Sequence, residues 1–162
     1  MQSYQERILA TLGDEDPIEV LQMTPLRIEQ LVQEFGSDDF ASSYAPGKWS
    51  AREILAHLAD VELAHALRFR QTLADDQPIL QPFDQDAWAK RYGRADPSLA
   101  VACFAGVRSW NLALLTTLDL DGWLKEAYHP ERGMMSMDLL VRTLAGHDLN
   151  HLRQLETIAG VR

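Results

Sequence analysis

The segment His147-Asp148-Leu149-Asn150-His151 sets two imidazoles one helical turn apart, the spacing with which a helix presents a divalent metal. On a wheel of about 3.6 residues per turn, Leu140, Leu144, His147, His151, Gln154, Leu155 and Ile158 share one stripe. Both histidines therefore occupy places where a bundle core expects leucine. Side chains so spaced bring two ring nitrogens close enough to share a cation at roughly 2.0–2.1 Å each. A hydrogen-bonded or solvated pair fits the same spacing, so the motif by itself leaves both readings open.

A third imidazole is available upstream. Ile54, Leu58, Val61, His65, Phe69 and Leu73 make the central stripe of another helical pattern, and His57, Ala64 and Arg68 form its edge. His57 faces inward, and the small Ala64 leaves room for a ligand beside it. Three neutral histidines with one position left for water are the arrangement expected of a catalytic metal, whereas core histidines bonded to neighbours are the bland alternative. His65 lies about 12 Å along the axis from His57 and reads as structural or pocket-lining. His129, beside Pro130 in a connecting segment, reads as a surface residue.

Two further candidates accompany the histidines. Arg108 and Asn111 lie within the apolar stripe of Val101, Phe104, Leu112 and Leu115, and a core guanidinium needs an anion, either an internal carboxylate or a bound substrate. Asp148 takes the place of glutamate in the His-Glu-x-x-His metalloprotease motif, where a carboxylate serves as base toward water. It points about 100° away from His147 on the wheel, which also fits a supporting hydrogen bond or a solvated position. Gly146, inside the helix, signals close approach of another helix or a ligand.

Four helical patterns must position these residues. The first runs from about Pro17 to Phe35, with Asp16 as cap, Gly36 as stop and a kink or interruption expected at Thr24-Pro25; a turn precedes it around Tyr4 to Leu12. The second opens on the capping box Ser50-Ala51-Arg52-Glu53 and continues to about Leu73. The third runs from Asp96-Pro97 to about Leu118, and the fourth from Ser136 to near Gly160. No alternating strand pattern and no repeat is found. The expected fold is an all-α four-helix bundle in one domain spanning residues 1–162, with a long crossover, Asp75 to Ala95, between the second and third helices. A second connection, Asp119 to Gly133, is expected to pack over one end of the bundle.

Composition narrows the function. With 46% hydrophobic and 24% charged residues and no long uninterrupted apolar tract, the chain reads as globular with no membrane partner. No secretory pattern opens it, which gives a cytoplasmic expectation. Cys103 is the single cysteine, so histidine and carboxylate must supply any ligands. A formal net charge of −9 disfavours nucleic acid. Trp49, Trp88, Trp110 and Trp123 read mostly as core or loop-anchoring aromatics.

Pro46-Gly47-Lys48-Trp49-Ser50-Ala51-Arg52-Glu53-Ile54-Leu55-Ala56-His57-Leu58 and His147-Asp148-Leu149-Asn150-His151-Leu152-Arg153-Gln154 together resemble the DinB-like superfamily, specifically its YfiT-type branch of metal-dependent hydrolases and thiol-S-transferases. His129-Pro130-Glu131-Arg132-Gly133 is similar to that branch as well. The resemblance implies a divalent metal, nickel or zinc, on His57, His147 and His151, and a homodimer. It also implies a small-molecule substrate and a low-molecular-weight thiol such as bacillithiol or mycothiol, or water in its place, activated against an electrophile. A non-catalytic metal-binding stress-response module is the alternative.

Overall fold

Side chains near each helix start explain where the helices begin. The computed structural model describes residues 3–161. α1 (Tyr4–Leu12) opens on a capping box of Ser3 and Glu6, and α2 (Pro17–Glu34) on the Asp16 carboxylate, which accepts from the N–H groups of Ile18 and Glu19. α3 (Ala51–Ala74) opens on the Ser50–Glu53 box. The crossover that follows holds α4 (Gln85–Ala89) and a short 3-10 turn, Tyr92–Arg94. α5 (Pro97–Leu115) is capped by Asp96; α6 (Leu120–Leu124) leads into β1 (Glu126–His129) and β2 (Gly133–Ser136); α7 (Met137–Ala159) is capped by Ser136.

The long helices α2, α3, α5 and α7 form the four-helix bundle: α2 and α3 each pack against both α5 and α7, while α1 lies along α7. One apolar cluster gathers Leu21, Phe69, Leu115, Leu140 and Leu144, and another gathers Ile28, Leu31, Ile54, Phe104 and Leu155. Along α5 and α7 the buried residues Arg108, Asn111, His147, Asp148 and His151 fall between these two clusters. Gly146 permits the approach of α1, since a Cβ there would collide with the carbonyl oxygen of Ile8.

Four expectations need correction. The turn around Tyr4 to Leu12 is a full helix, because Ser3 and Glu6 cap it and Ile8 and Leu12 bury against the bundle. The interruption at Thr24-Pro25 is absent and α2 runs through it. Pro25 has no N–H to offer the Leu21 carbonyl four residues back, and Arg108 Nη1 donates to that oxygen instead, at 3.0 Å. The third helix ends at Leu115, short of Leu118, where the Thr116 and Thr117 hydroxyls bond back to carbonyls of the last turn. The connection before α7 contains an antiparallel hairpin pairing Ala127 with Met135 and His129 with Gly133. Its four-residue strands bury alternate side chains, and the Tyr128 N–H donates to the Pro78 carbonyl at 2.9 Å, tying the crossover beside it.

α5 has the length and composition of a membrane span, with a mean hydropathy of 1.4 over an 18-residue window. Its Arg108 is nevertheless paired inside the bundle, and the helix packs on α2 and α3.

Candidate metal centre

α3 and α7 bring His57, His147 and His151 together in the core, where each is buried and one ligand atom from each lies within 4.8 Å of the others. His57 Nε2 and His147 Nε2 are 3.0 Å apart. His151 stands beside them, its ring centroid 4.4 Å from that of His147 and 5.0 Å from that of His57. His151 Nδ1 donates to Gln154 Oε1 at 2.8 Å, a bond that places the ring proton on Nδ1 and leaves the Nε2 lone pair free toward the cluster. Trp49 stacks on His151 at 6.4 Å and 11°, and its centroid is 4.8 Å from that of His57.

The environment keeps imidazole neutral. Burial, reinforced by repulsion from His147 and His151, pushes the His57 pKa down to about 2; burial and His147 push His151 down to about 3. A neutral ring is the form that ligates a metal.

Behind His147 lies a second polar cluster. Arg108 Nη2 donates to Glu62 Oε2 at 2.7 Å and Arg108 Nη1 lies 2.7 Å from Asp148 Oδ2, all with side chains essentially inaccessible to solvent. Asn111 donates to the other Glu62 oxygen at 2.8 Å. Burial opposes ionisation of Asp148, and the Arg108 guanidinium overcomes it, holding that carboxyl below the usual carboxylate range. One guanidinium between two carboxylates leaves this cluster net negative. Asp148 Oδ1 stands 3.9 Å from His147 Nδ1, beyond hydrogen-bond range but close enough to act by charge.

The donor set fits a divalent metal. Tetrahedral bonds of about 2.0–2.1 Å separate ligand nitrogens by roughly 3.3 Å, comparable with the observed approach of His57 to His147. His57 Nδ1 and His147 Nδ1 are buried without hydrogen-bond partners, and the neighbouring cluster carries excess negative charge. The excess negative charge suits a cation shared among the converging ring nitrogens.

Two cavities reach the cluster. One of about 380 Å³ is lined by Trp49, His57, Asn150, His151 and Gln154 among others. A narrow one of about 40 Å³ touches His57, His65, Thr143 and His147.

Of the sequence-derived candidates, His57, His147 and His151 converge. Arg108 and Asp148 lie behind them as partners of one another, with Arg108 only 1% exposed and bonded on both sides, so its anion is internal. His65 bonds the Val61 carbonyl at 3.0 Å and lines the narrow cavity. His129 is buried rather than on the surface, because β1 turns it inward and its Nδ1 accepts the Glu131 N–H at 3.2 Å. Trp88 and Trp110 are exposed, at 41% and 67%, and Trp49 is the tryptophan that faces the histidines. Sequence reasoning missed Tyr4 and Arg132 and left Arg68 without a role; all three line the narrow cavity.

A four-helix bundle holding three buried imidazoles from two of its helices is the class that fold and site define. The chain belongs to the DinB superfamily, whose family model matches residues 21–155. It is 26% identical over 145 residues to YfiT of Bacillus subtilis, a candidate metal-dependent hydrolase, covering 88% of this chain and 82% of that one. A candidate metal-dependent hydrolase of Oceanobacillus iheyensis is 23% identical over 135 residues, covering 83% and 78%. The solved structure of B. subtilis YfiT, described as a four-helix bundle of unusual topology, superposes with a TM-score of 0.81 at 24% identity, covering 100% of this chain and 92% of that one.

Proposed function

We propose that the protein is a metal-dependent enzyme in which His57, His147 and His151 hold a zinc or nickel ion that activates water or a low-molecular-weight thiol against a small-molecule electrophile. The observation that carries this reading is the convergence of three buried imidazoles on one point that two cavities reach. When bound, such a metal supplies a Lewis acid that lowers the pKa of a water or thiol placed on it. Gln154 fixes the tautomer of His151, and Asp148, held by Arg108, sets a negative charge behind His147. Trp49 packs against the rings of His57 and His151 and lines the larger cavity with them. Neither Asp148 nor Arg108 lines either cavity, which supports a positioning role for them rather than contact with substrate.

The test is turnover of a chromogenic ester, and of an aryl halide in the presence of a thiol, by zinc- and nickel-loaded protein. The expected outcome is metal-dependent turnover of one of them that His147→Ala abolishes. Stoichiometric metal with no turnover of either substrate would favour the non-catalytic module.

The same reading extends to a homodimer in the cytoplasm. α3 and α5 pack on each other and leave Leu63, Leu67, Leu99 and Trp110 48–70% exposed, apolar area of the kind that a second copy would cover. Equilibrium sedimentation at twice the chain mass is expected.

A further inference from the structure

In a chain with a formal net charge of −9, two arginines sit beside the histidines with no carboxylate in ion-pair contact. Arg68 is 4% exposed, yet its one hydrogen bond goes to the Gln81 carbonyl, at 3.0 Å, and its guanidinium lies over the Phe83 ring at 5.5 Å. Arg132 lies over the Tyr4 ring at 5.6 Å, with Arg7 against the same ring at 5.5 Å. Among the described residues neither Arg68 nor Arg132 forms an ion pair. Aromatic rings and a backbone carbonyl thus orient two cations that no carboxylate pairs directly, which differs from the treatment of Arg108 in the same core.

Both arginines line a cavity of about 650 Å³ together with His129 and a single carboxylate, Glu131. The Glu131 N–H is donated to His129 Nδ1, so the neutral ring carries its proton on Nε2 and is a further donor. Repulsion between the guanidiniums follows from their placement: burial and then the charge of Arg132 bring the Arg68 pKa down to about 10, against a smaller opposing pull from the Glu131 carboxylate. Tyr4, Arg68, Phe83, Gln85 and Arg132 also line the narrow cavity that touches His57 and His147, so the two spaces adjoin.

We propose that this arginine cavity binds an oxyanion, the carboxylate or phosphate group of a small molecule, and thereby makes the site selective for anionic compounds. That the molecule's other end is the one that reacts rests on the metal-dependent reading above; the anion site itself does not. Paired guanidiniums match carboxylate and phosphate oxygens with charge-assisted hydrogen bonds, and the buried position of Arg68 strengthens them. Arg132 comes from the hairpin, Arg68 from α3 and Tyr4 from α1, so the site exists only when those elements are docked.

The test is calorimetric titration of metal-free and zinc-loaded protein with succinate and with inorganic phosphate at low ionic strength. The variants are Arg68→Gln, Arg132→Gln and His151→Ala. The expected result is binding of at least one anion to wild-type protein with or without zinc, retained in His151→Ala and weakened about tenfold or more in each arginine variant. Preference for succinate assigns a carboxylate, and preference for phosphate assigns a phosphoryl group. Should Arg68→Gln fail to fold, the more accessible Arg132→Gln decides. Anion binding that needs zinc and survives Arg132→Gln, or no binding of either anion at millimolar concentration, would overturn the proposal. Loss of metal in His151→Ala with anion binding intact would separate this site from the metal-dependent reading.

Discussion

Two buried polar clusters lie side by side where α3, α5 and α7 meet, and they differ in the kinds of group they bring together. Around Arg108, charges of both signs meet: Glu62 receives bonds from Arg108 and Asn111 on separate oxygens, Asp148 takes a second guanidinium nitrogen, and the Leu21 carbonyl freed by Pro25 is also satisfied. Around the histidines, three rings of one kind converge, with His57 Nε2 and His147 Nε2 3.0 Å apart; buried atoms without hydrogen-bond partners occur in both clusters, His57 Nδ1 and His147 Nδ1 in this one, Arg108 Nε and Asp148 Oδ1 in the other. A cluster that closes cation on anion holds helices together; a cluster that brings like ring nitrogens together is open to an added cation. The contrast explains why an arginine and a histidine, both anomalous in an apolar stripe, end in different roles.

Breaking the closed cluster should have the largest effect. Arg108→Met removes the cation that Glu62 and Asp148 share and leaves two buried carboxylates uncompensated, an expected loss of about 3–5 kcal/mol in urea unfolding. A loss near zero would mean that the pairing contributes nothing to the fold.

Acid should attack the histidine side. The folded pKa values of His57, His65 and His151, at about 2, 3 and 3, lie below the ordinary 6.5, so the unfolded chain takes up protons that the folded chain refuses. Stability of the metal-free protein is therefore complete above the unfolded value and falls as pH drops through it, by about 1.4 kcal/mol per pH unit for each histidine. Urea midpoints measured from pH 7.5 to 5 should decline, and a flat profile would contradict the buried neutral rings. The smallest expected effect is that of Gln154→Leu, which frees the His151 tautomer: zinc affinity, read by competition with a chromophoric chelator, should drop about tenfold. Unchanged affinity would assign that tautomer to another cause.

Much of this was legible in the chain. Asp16, Ser50 with Glu53, Asp96 and Ser136 mark four helix starts that the structure reproduces. The apolar stripes turn His57, His147 and His151 inward, and Arg108 found the internal carboxylate that its place in a stripe requires. What escaped depends on contacts distant in sequence. Pro25 reads as a helix breaker until Arg108, far along the chain, takes the orphaned carbonyl. The strands at 126–129 and 133–136 are too short to show alternation, and only their pairing buries His129. Tyr4, Arg68 and Arg132 come from three elements with no common spacing, so no pattern in the sequence joins them.

The central claim is that the open cluster is a metal site, and elemental analysis of tag-free protein tests it most directly, comparing the wild-type chain with one carrying both His147→Ala and His151→Ala. The account predicts one divalent metal per wild-type chain and none in the double variant, with both proteins folded by circular dichroism. Metal-free wild-type protein whose melting temperature ignores added zinc and nickel, or a double variant that keeps its metal, would contradict it.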